Sequence, residues 1–345
     1  MAAGGSKSKK TATIIDVARL AGVSQQTVSR VANGSNLVRE ATRAKVQAAM
    51  KELGYSPNRQ ARALCNGRSK MIGLVINYHR NNVLSDLLEG ITSTAAKLGY
   101  GIVIVPAGED IEEILLRQSG YIASLNLAGL IVFSDEDISE SSADHVGHLP
   151  TVVLGSLRTF PNEWSFVDTQ GSRISELAVE HLLGLGHKTV HHISGPLFSP
   201  AAVTRVEYWQ RTLQAHGAPI PKPVESADWF PDDGYRAACQ LLNRYPDCTA
   251  IYASDDAIAS GAMAVCQERG LVVGRDVSVV GVDDVLGDFV PNNILTSVRC
   301  DFLEAGYCAM ELLMKMLRDV TLRGSRAVIS PELIVRESTA RLKGA

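Results

Sequence analysis

The sequence lacks the features that mark membrane and secreted proteins. No segment of its 345 residues is both long and uncharged enough to span a bilayer, and the opening MAAGGSKSKK has no apolar stretch behind it. The 6 cysteines include no CxxC pair, which disfavours a disulfide framework or a zinc site. We therefore expect a cytoplasmic protein with reduced, mostly structural thiols, no membrane partner and no bound metal.

Signatures of common enzymes are missing as well. No GxGxxG follows an early strand, and GxxxxGK[ST], HExxH and GxSxG do not occur. The GLGHKT stretch at 184–189 is too short for a phosphate loop, and His187, His191 and His192 have no metal-ligand partners at useful spacing. We expect no catalytic residues and no cofactor, and we interpret these histidines as structural.

The charges that are present are sorted along the chain. Residues 1–70 contain thirteen Lys or Arg and three Asp or Glu, a net charge of +10, so the other 275 residues have a net charge of -13. A basic unit joined to an acidic one indicates that only the N-terminal part faces a polyanion. A solvated basic tail would explain residues 1–12, but it would not explain Arg and Lys interleaved with helical apolar spacing.

The stretch TIIDVARLAGVSQQTVSRVANG predicts two short helices joined by a tight turn. Ile14, Val17, Leu20 and Ala21 follow helical spacing, Gly22 can end that helix, and Ser24 can cap the next one, whose inward face is Val28 and Val31. A third helix from about 40 to 53 would close the core with a set of apolar residues and leave Arg43, Lys45 and Lys51 outside. That set is Ala41, Ala44, Val46, Ala49, Met50 and Leu53.

This pattern is typical of a helix-turn-helix unit, whose second helix enters the DNA major groove. Gln25, Gln26 and Ser29 occupy its exposed start, where glutamine can bond adenine and Arg30 can bond guanine or a phosphate. Residues 58–66 could form a short helix that needs a partner to fold, with Leu64 as a wedge for a minor-groove base step.

Residues 71–340 alternate β-branched runs with helical patterns, which favours two doubly wound parallel-sheet lobes. Strands are predicted at 71–77, 100–105, 129–133, 151–155, 189–193, 250–254 and 277–282. Ligands of such sheets bind beyond the carboxyl ends of the strands. The predicted cleft residues on this basis are Asn77, Asp255, Asp256, Asp283 and Asp284, although Asp256 could instead cap the next helix.

The sequence resembles the lactose-repressor (LacI) family over nearly its whole length from Thr13. The most specific match is DVARLAGVSQQTVSRVANG, followed by KELGYSPNRQA, GRSKMIGLV, EHLLGLGHKTV, ISGP and DVSVVGVDD. The resemblance implies a homodimer on a pseudo-palindromic operator, a hinge helix, and a sugar-binding cleft like that of periplasmic binding proteins. It implies DNA contacts at Thr13, Ser24, Gln25, Gln26, Thr27, Ser29, Arg30, Asn33, Asn58, Arg59, Ala61 and Leu64.

For the effector, the resemblance adds Arg205, Trp229 and Cys300 to Asn77, Asp255 and Asp283. Three positions depart from family patterns: Arg39 replaces a capping serine, Asp255 an asparagine, and Cys300 a glutamine. An extra carboxylate disfavours acidic ligands, so a neutral sugar or polyol is the expected effector, with a purine-type effector as the alternative.

The expected organisation is a basic tail (1–12), a DNA-binding domain (13–57), a hinge or linker (58–69) and an effector-binding core (70–345). Within the core we expect one lobe from about 71–170 plus 302–329 and another from 171–299 plus 330–340. The chain carries no leucine heptads near its end, so we expect a dimer. The alternatives are an enzyme built on doubly wound sheets and a sugar-binding transport protein.

Overall fold

The computed structural model of the chain divides into two compact units, residues 1–69 and 70–345. It describes residues 12–32, 35, 37–55, 69–77, 83–107, 110–288 and 290–342. The predicted hinge helix, with Asn58, Arg59, Ala61 and Leu64, lies outside the described residues, as does Asn33.

The first unit contains three helices among its described residues: α1 (Ile14–Ala21), α2 (Gln25–Ala32) and α3 (Glu40–Glu52). Thr13 caps α1 in a reciprocal arrangement with Asp16, and Gly22 ends the helix with a φ of 65°. The predicted cap of α2 is present, because the Ser24 hydroxyl accepts from the Thr27 amide at 3.2 Å. The first helix of the predicted motif therefore ends, and the second begins, where the sequence indicated.

The core of this unit contains fewer of the predicted apolar residues than expected. Val17, Ala18, Val28, Val31, Val46 and Ala49 are buried. Three residues assigned to the core are exposed, because they lie off the inward stripe of their helices: Leu20, Ala41 and Ala44. The expectation for Arg43 was also wrong, since its guanidinium is largely buried and donates to the Ser35 carbonyl at 2.7 Å.

As the sequence suggested, Arg39 does not cap α3, since no side chain hydrogen bond is made there. The neighbouring Arg43 ties the preceding loop to this helix through Ser35 and lies 3.4 Å from Glu40. The side chain of Arg43 therefore fixes the helix start that a capping serine would otherwise fix.

The first lobe of the second unit is built on a parallel sheet of six strands in the order β11-β5-β4-β3-β1-β2. Its strands are β1 (Met71–Asn77), β2 (Gly101–Ala107), β3 (Gly129–Phe133), β4 (Thr151–Gly155), β5 (Ser165–Asp168) and β11 (Arg326–Val328). One face packs on α4 (Leu84–Leu98) and α12 (Phe302–Arg318). The other packs on α5 (Ile111–Arg117), α6 (Ser119–Ser124) and α7 (Ser142–Val146).

The second lobe is built on another six-stranded sheet, ordered β12-β10-β9-β8-β6-β7 and parallel except for β12. Its strands are β6 (His191–Ser194), β7 (Val224–Glu225), β8 (Ala250–Ala253), β9 (Ser278–Val282), β10 (Thr296–Arg299) and β12 (Glu332–Ile334). α8 (Gly171–Gly184) and α9 (Pro200–Ala215) cover one face. α10 (Pro231–Arg244) and α11 (Asp256–Glu268) cover the other.

Three crossovers connect the lobes. They are residues 169–170 between β5 and α8, 300–301 between β10 and α12, and 329–331 between β11 and β12. Short 3-10 helices occupy Val285–Asp288 and Val320–Leu322.

Two doubly wound lobes and a small helical unit confirm the predicted fold class. All seven predicted strands form, with ends within two residues of those expected. The sequence pattern predicted no strand bounds for β5, β7 and the last three strands, which have two to four residues each. None of the helices formed by the described residues is long and apolar enough to cross a membrane.

Candidate DNA-binding helix and effector cleft

The α2 helix presents a polar face beside its buried one. Val28 and Val31 point inward, whereas Gln25, Gln26 and Arg30 are exposed. Because α2 is held by two buried valines and an N-terminal cap, these three side chains project from a fixed scaffold. This is the arrangement that direct reading of base edges requires.

Three other predicted DNA-contacting residues make hydrogen bonds at the starts of α1 and α2. The Thr13 hydroxyl donates to the Asp16 carboxylate at 2.7 Å, and the Ser24 and Thr27 hydroxyls lie 2.9 Å apart. Ser29 is half-buried. The hydroxyls of Thr13, Ser24 and Thr27 therefore have roles within the unit.

A cavity of about 430 Å³ lies between the two lobes of the core. The first lobe lines it with residues that follow β3, β4 and β5, and the second with residues that follow β6, β7, β8, β9 and β10. Both lobes thus contribute the carboxyl ends of their strands, where ligands of such sheets bind. Of the predicted effector residues, Arg205, Trp229, Asp255, Asp283 and Cys300 line this cavity.

Arg205 is the central cation of the cleft. Its guanidinium donates to the Ser254 carbonyl at 2.7 Å and lies 3.8 Å from the Asp283 carboxylate, with the side chain only 12% exposed. The Trp229 ring lies 5.7 Å from it, within cation–π range. The guanidinium is therefore fixed on three sides and can present its remaining donors to a ligand.

Two predicted carboxyl groups flank Arg205 in different ways. The Asp255 carboxylate caps α11 by accepting from the Ile258 amide at 2.6 Å, and burial raises the pKa of Asp255 to about 7. Burial also raises the pKa of Asp283, although the charge of Arg205 opposes this shift. Asp283 has a φ of 89°, a backbone conformation that non-glycine residues seldom adopt outside functional or tightly held sites.

Asp135 is a cleft residue that the sequence reasoning missed. It follows β3 in the first lobe, lines the cavity and accepts from the Ser156 amide at 3.2 Å. Burial raises the pKa of Asp135 above its usual value, although the charge of Arg205 in the opposite lobe opposes this shift. The rule that selected residues after the other strands would have found Asp135, since it stands two positions beyond Phe133 at the end of β3.

The remaining predicted residues have other positions. Asn77 ends β1, whose carboxyl end adjoins that of β3 in the sheet. The suggestion that Asp256 caps α11 was wrong, because Asp255 does so and Asp256 accepts from the Ser297 hydroxyl at 2.6 Å. Asp284 lies outside the cavity lining and forms ion pairs with Arg299 and Arg336.

The three histidines that the sequence analysis interpreted as structural, His187, His191 and His192, are buried in the second lobe. His187 joins the Thr249 and Ser278 hydroxyls at 3.0 Å each, and His192 is stacked between Trp209 and Tyr252. Burial lowers the pKa of His192 to about 3, so it is neutral at pH 7. Among the described residues, no cluster of three or more His, Cys, Asp or Glu is arranged to hold a metal ion.

A helix-turn-helix unit on the same chain as a two-lobed ligand-binding core defines a transcriptional regulator that responds to a small molecule. Residues 13–58 match the family described as bacterial regulatory proteins, lacI family, and residues 179–339 match the periplasmic binding protein-like domain. The chain is 32% identical to the lactose operon repressor of Escherichia coli (strain K12) over 333 residues, which is 96% of this chain and 91% of that one. The chain belongs to the LacI family.

Two solved structures show the same architecture. The lac repressor dimer bound to operator and the anti-inducer ONPF is 30% identical, with a TM-score of 0.87, and the match covers 96% of this chain and 100% of that one. The complex of the transcriptional regulator CelR with cellobiose is 29% identical, with a TM-score of 0.68, over 95% of this chain and 99% of that one. The prediction of a regulator rather than an enzyme is confirmed by these relatives.

Proposed function

We propose that this chain binds a pseudo-palindromic operator as a homodimer in the cytoplasm, and that a small molecule in the cleft controls its affinity for DNA. One observation carries the proposal: a fixed, exposed recognition helix and a two-lobed cleft with a central arginine occur in one chain. The proposed parts are the tail (1–12), the DNA-binding domain (13–57), the hinge (58–69) and the effector-binding core (70–345). The operator-bound lac repressor dimer supports this assignment.

For DNA recognition, we assign direct base contacts to Gln25, Gln26 and Arg30. Their exposure on α2 supports this assignment, because glutamine matches adenine and arginine matches guanine in the major groove. The capping hydroxyls of Thr13, Ser24 and Thr27, with Ser29, lie in the same unit and are assigned to phosphate or base-edge contacts. Contacts by Asn33, Asn58, Arg59, Ala61 and Leu64 remain predictions from the sequence.

The experiment for this function is selection of bound duplexes from a random pool by the full-length protein, followed by affinity measurements. We expect a pseudo-palindromic site, and a loss of about 10- to 100-fold in discrimination at one base pair per half-site for Gln25→Ala or Arg30→Ala. Gln47→Ala, an exposed glutamine on α3, is the matched control. Recovery of no preferred sequence, with sugars present or absent, would refute the proposal.

For the effector, we propose a neutral sugar or polyol. Among the described residues, four carboxyl groups, those of Asp135, Glu136, Asp255 and Asp283, line the cavity with one guanidinium, that of Arg205. Carboxyl groups accept hydrogen bonds from hydroxyls, and the half-buried Trp229 ring offers a face to the C–H groups of a sugar. Of the side chains that the structure describes there, an anionic ligand would face four acids and a single cation. The effector sites thus proposed are Asn77, Arg205, Trp229, Asp255, Asp283 and Cys300, with Asp135 added.

Thermal unfolding in the presence of matched ligands tests this assignment. Cellobiose, glucose, glucuronate, glucose 6-phosphate and guanine differ in charge or class. We expect a neutral sugar to stabilise the core, by about 2.7 kcal/mol at 100 times its Kd, and Arg205→Gln to abolish that effect. Stabilisation by guanine alone would favour the purine-type alternative, and stabilisation by the acidic compounds alone would contradict the charge argument.

A further inference from the structure

Asp284 follows the cleft residue Asp283 but takes no part in lining the cavity. Its side chain is only 2% exposed and accepts hydrogen bonds from two arginines. Arg299 donates through Nε at 3.0 Å and through its terminal nitrogen at 2.6 Å. Arg336 donates at 2.5 Å from the other side. A buried carboxylate held by two guanidiniums is a rigid junction, because each charge-assisted bond restricts its orientation.

Each arginine lies on the second-lobe side of a crossover, at the end of β10 or just beyond β12. Arg299 is the last residue of β10, immediately before the crossover at 300–301, and Arg336 lies two residues beyond β12, which follows the crossover at 329–331. Arg336 also donates to the Leu295 carbonyl at 2.7 Å, and its amide donates to the Thr296 hydroxyl at 2.9 Å. Asp284 therefore joins, at one point, the strand that leads into the second crossover and the segment beyond the strand that follows the third.

The backbone of the turn at 283–284 is held in place by hydrogen bonds to β10. Asp283 and Asp284 have φ values of 89° and 57°. The Asp283 amide donates to the Val298 carbonyl at 2.8 Å, and the Asp284 amide donates to the Ser297 hydroxyl at 3.1 Å. That hydroxyl in turn donates to the buried Asp256 carboxyl group at 2.6 Å. A turn in this unfavourable conformation persists only because its surroundings fix it.

A continuous set of contacts thus leads from the cleft to the crossovers. Trp229 lies against Arg205, Arg205 is 3.8 Å from Asp283, and Asp283 shares its turn with Asp284. We propose that Asp284 is a positioning residue that couples Asp283 in the cleft to the second and third crossovers through Arg299 and Arg336. This role rests on the proposed function of the cleft in effector binding. Asp284 transmits a change in the position of Asp283 to the segments about which the lobes move.

The coupling can be tested without an effector or DNA, using the tryptophans. Trp164 and Trp209 are 1% and 0% exposed, so quenching of tryptophan fluorescence by acrylamide in the folded full-length protein reports the solvent exposure of Trp229. Deuterium exchange at 296–302 and 329–338 reports the local opening of the second and third crossovers. The variants are Asp284→Asn, Arg336→Gln and the charge-preserving Arg336→Lys. Asp233→Asn is the control, since Asp233 pairs with Arg236 at 2.5 Å in the same lobe, on α10.

We expect Asp284→Asn and Arg336→Gln each to raise the Trp229 quenching constant at least twofold and crossover exchange at least tenfold. Arg336→Lys should keep the quenching constant close to that of the wild type. Asp233→Asn should leave both the quenching constant and the crossover exchange unchanged. A purely structural ion pair would lower the melting temperature without altering Trp229, and that result would overturn the proposal. If Asp284→Asn does not fold, the two Arg336 variants decide the question.

This test is independent of the DNA selection. Loss of the expected effect on Trp229 would leave operator recognition intact, and failure to select a DNA sequence would not alter either measurement. The two proposals can therefore fail separately.

Discussion

The carboxyl group of Asp255 provides a sharp test of the electrostatics of the cleft. It caps α11 through the Ile258 amide, and burial raises its pKa from 3.8 to about 7. We predict that Asp255→Asn stabilises the core at alkaline pH. Asparagine is as good a helix cap as aspartate, so the cap is kept while the buried charge is removed.

The sign follows from proton linkage. Because the folded-state pKa of Asp255 lies above its unfolded value, folding favours the protonated form, and this contribution is fully present below pH 3.8 and is lost as the pH rises to about 7. A pKa difference of roughly three units corresponds to about 4 kcal/mol above pH 7. Between pH 5 and pH 9, the stability of Asp255→Asn relative to wild type should rise by about 2–3 kcal/mol.

Urea unfolding followed by tryptophan fluorescence measures this difference, because all 3 tryptophans lie in residues 70–345 and report the core alone. The matched control is Asp301→Asn, an exposed cap of α12 that accepts from the Glu304 amide at 2.8 Å. Its profile should run parallel to that of the wild type. A stability difference for Asp255→Asn that is constant from pH 5 to pH 9 would refute the reasoning.

Three further predictions concern the DNA-binding unit and the assembly. Val46→Ala removes two methyl groups from a fully buried site in the DNA-binding unit, which lowers the stability of that unit by about 2 kcal/mol. DNA binding should therefore fall, whereas the unfolding of residues 70–345 should be unchanged. If the basic unit makes six or more phosphate contacts, operator affinity should fall about a thousandfold between 50 and 200 mM salt, and a flat profile measured by fluorescence anisotropy would contradict this. Sedimentation velocity should show a dimer, and a stable tetramer would contradict it.

The periodicity of the sequence predicted most of the fold because it records which face of each element is buried. The runs at 71–77, 129–133 and 151–155 form strands with the bounds expected. Three of the missed strands are too short for periodicity to show: β7 has two residues, and β11 and β12 have three each. The sequence also could not show that Leu20 is exposed, because Val17 and Ala18 already fill the inward stripe of a two-turn helix.

For the cleft, the sequence located the region but not the partners of each side chain. The rule that ligands bind beyond strand ends selected Asp255 and Asp283, which do line the cavity, and it applied equally to Asp135 after β3, where it was not used. Asp135 lies in the acidic stretch SDEDISE, which reads as solvated surface. Its position in the cavity depends on the opposite lobe, and no local pattern describes that.

The four aspartates that follow β8 and β9 show why strand-end position alone does not specify a role. They occur as two adjacent pairs in the sequence, yet each has a different partner: the Ile258 amide for Asp255, Ser297 for Asp256, Arg205 for Asp283, and two arginines for Asp284. Successive side chains leave the backbone in different directions, so one member of each pair lines the cavity and the other lies behind it. The residues behind the cavity hold the strand ends in place, and substitutions there should alter the response to a ligand that they do not touch.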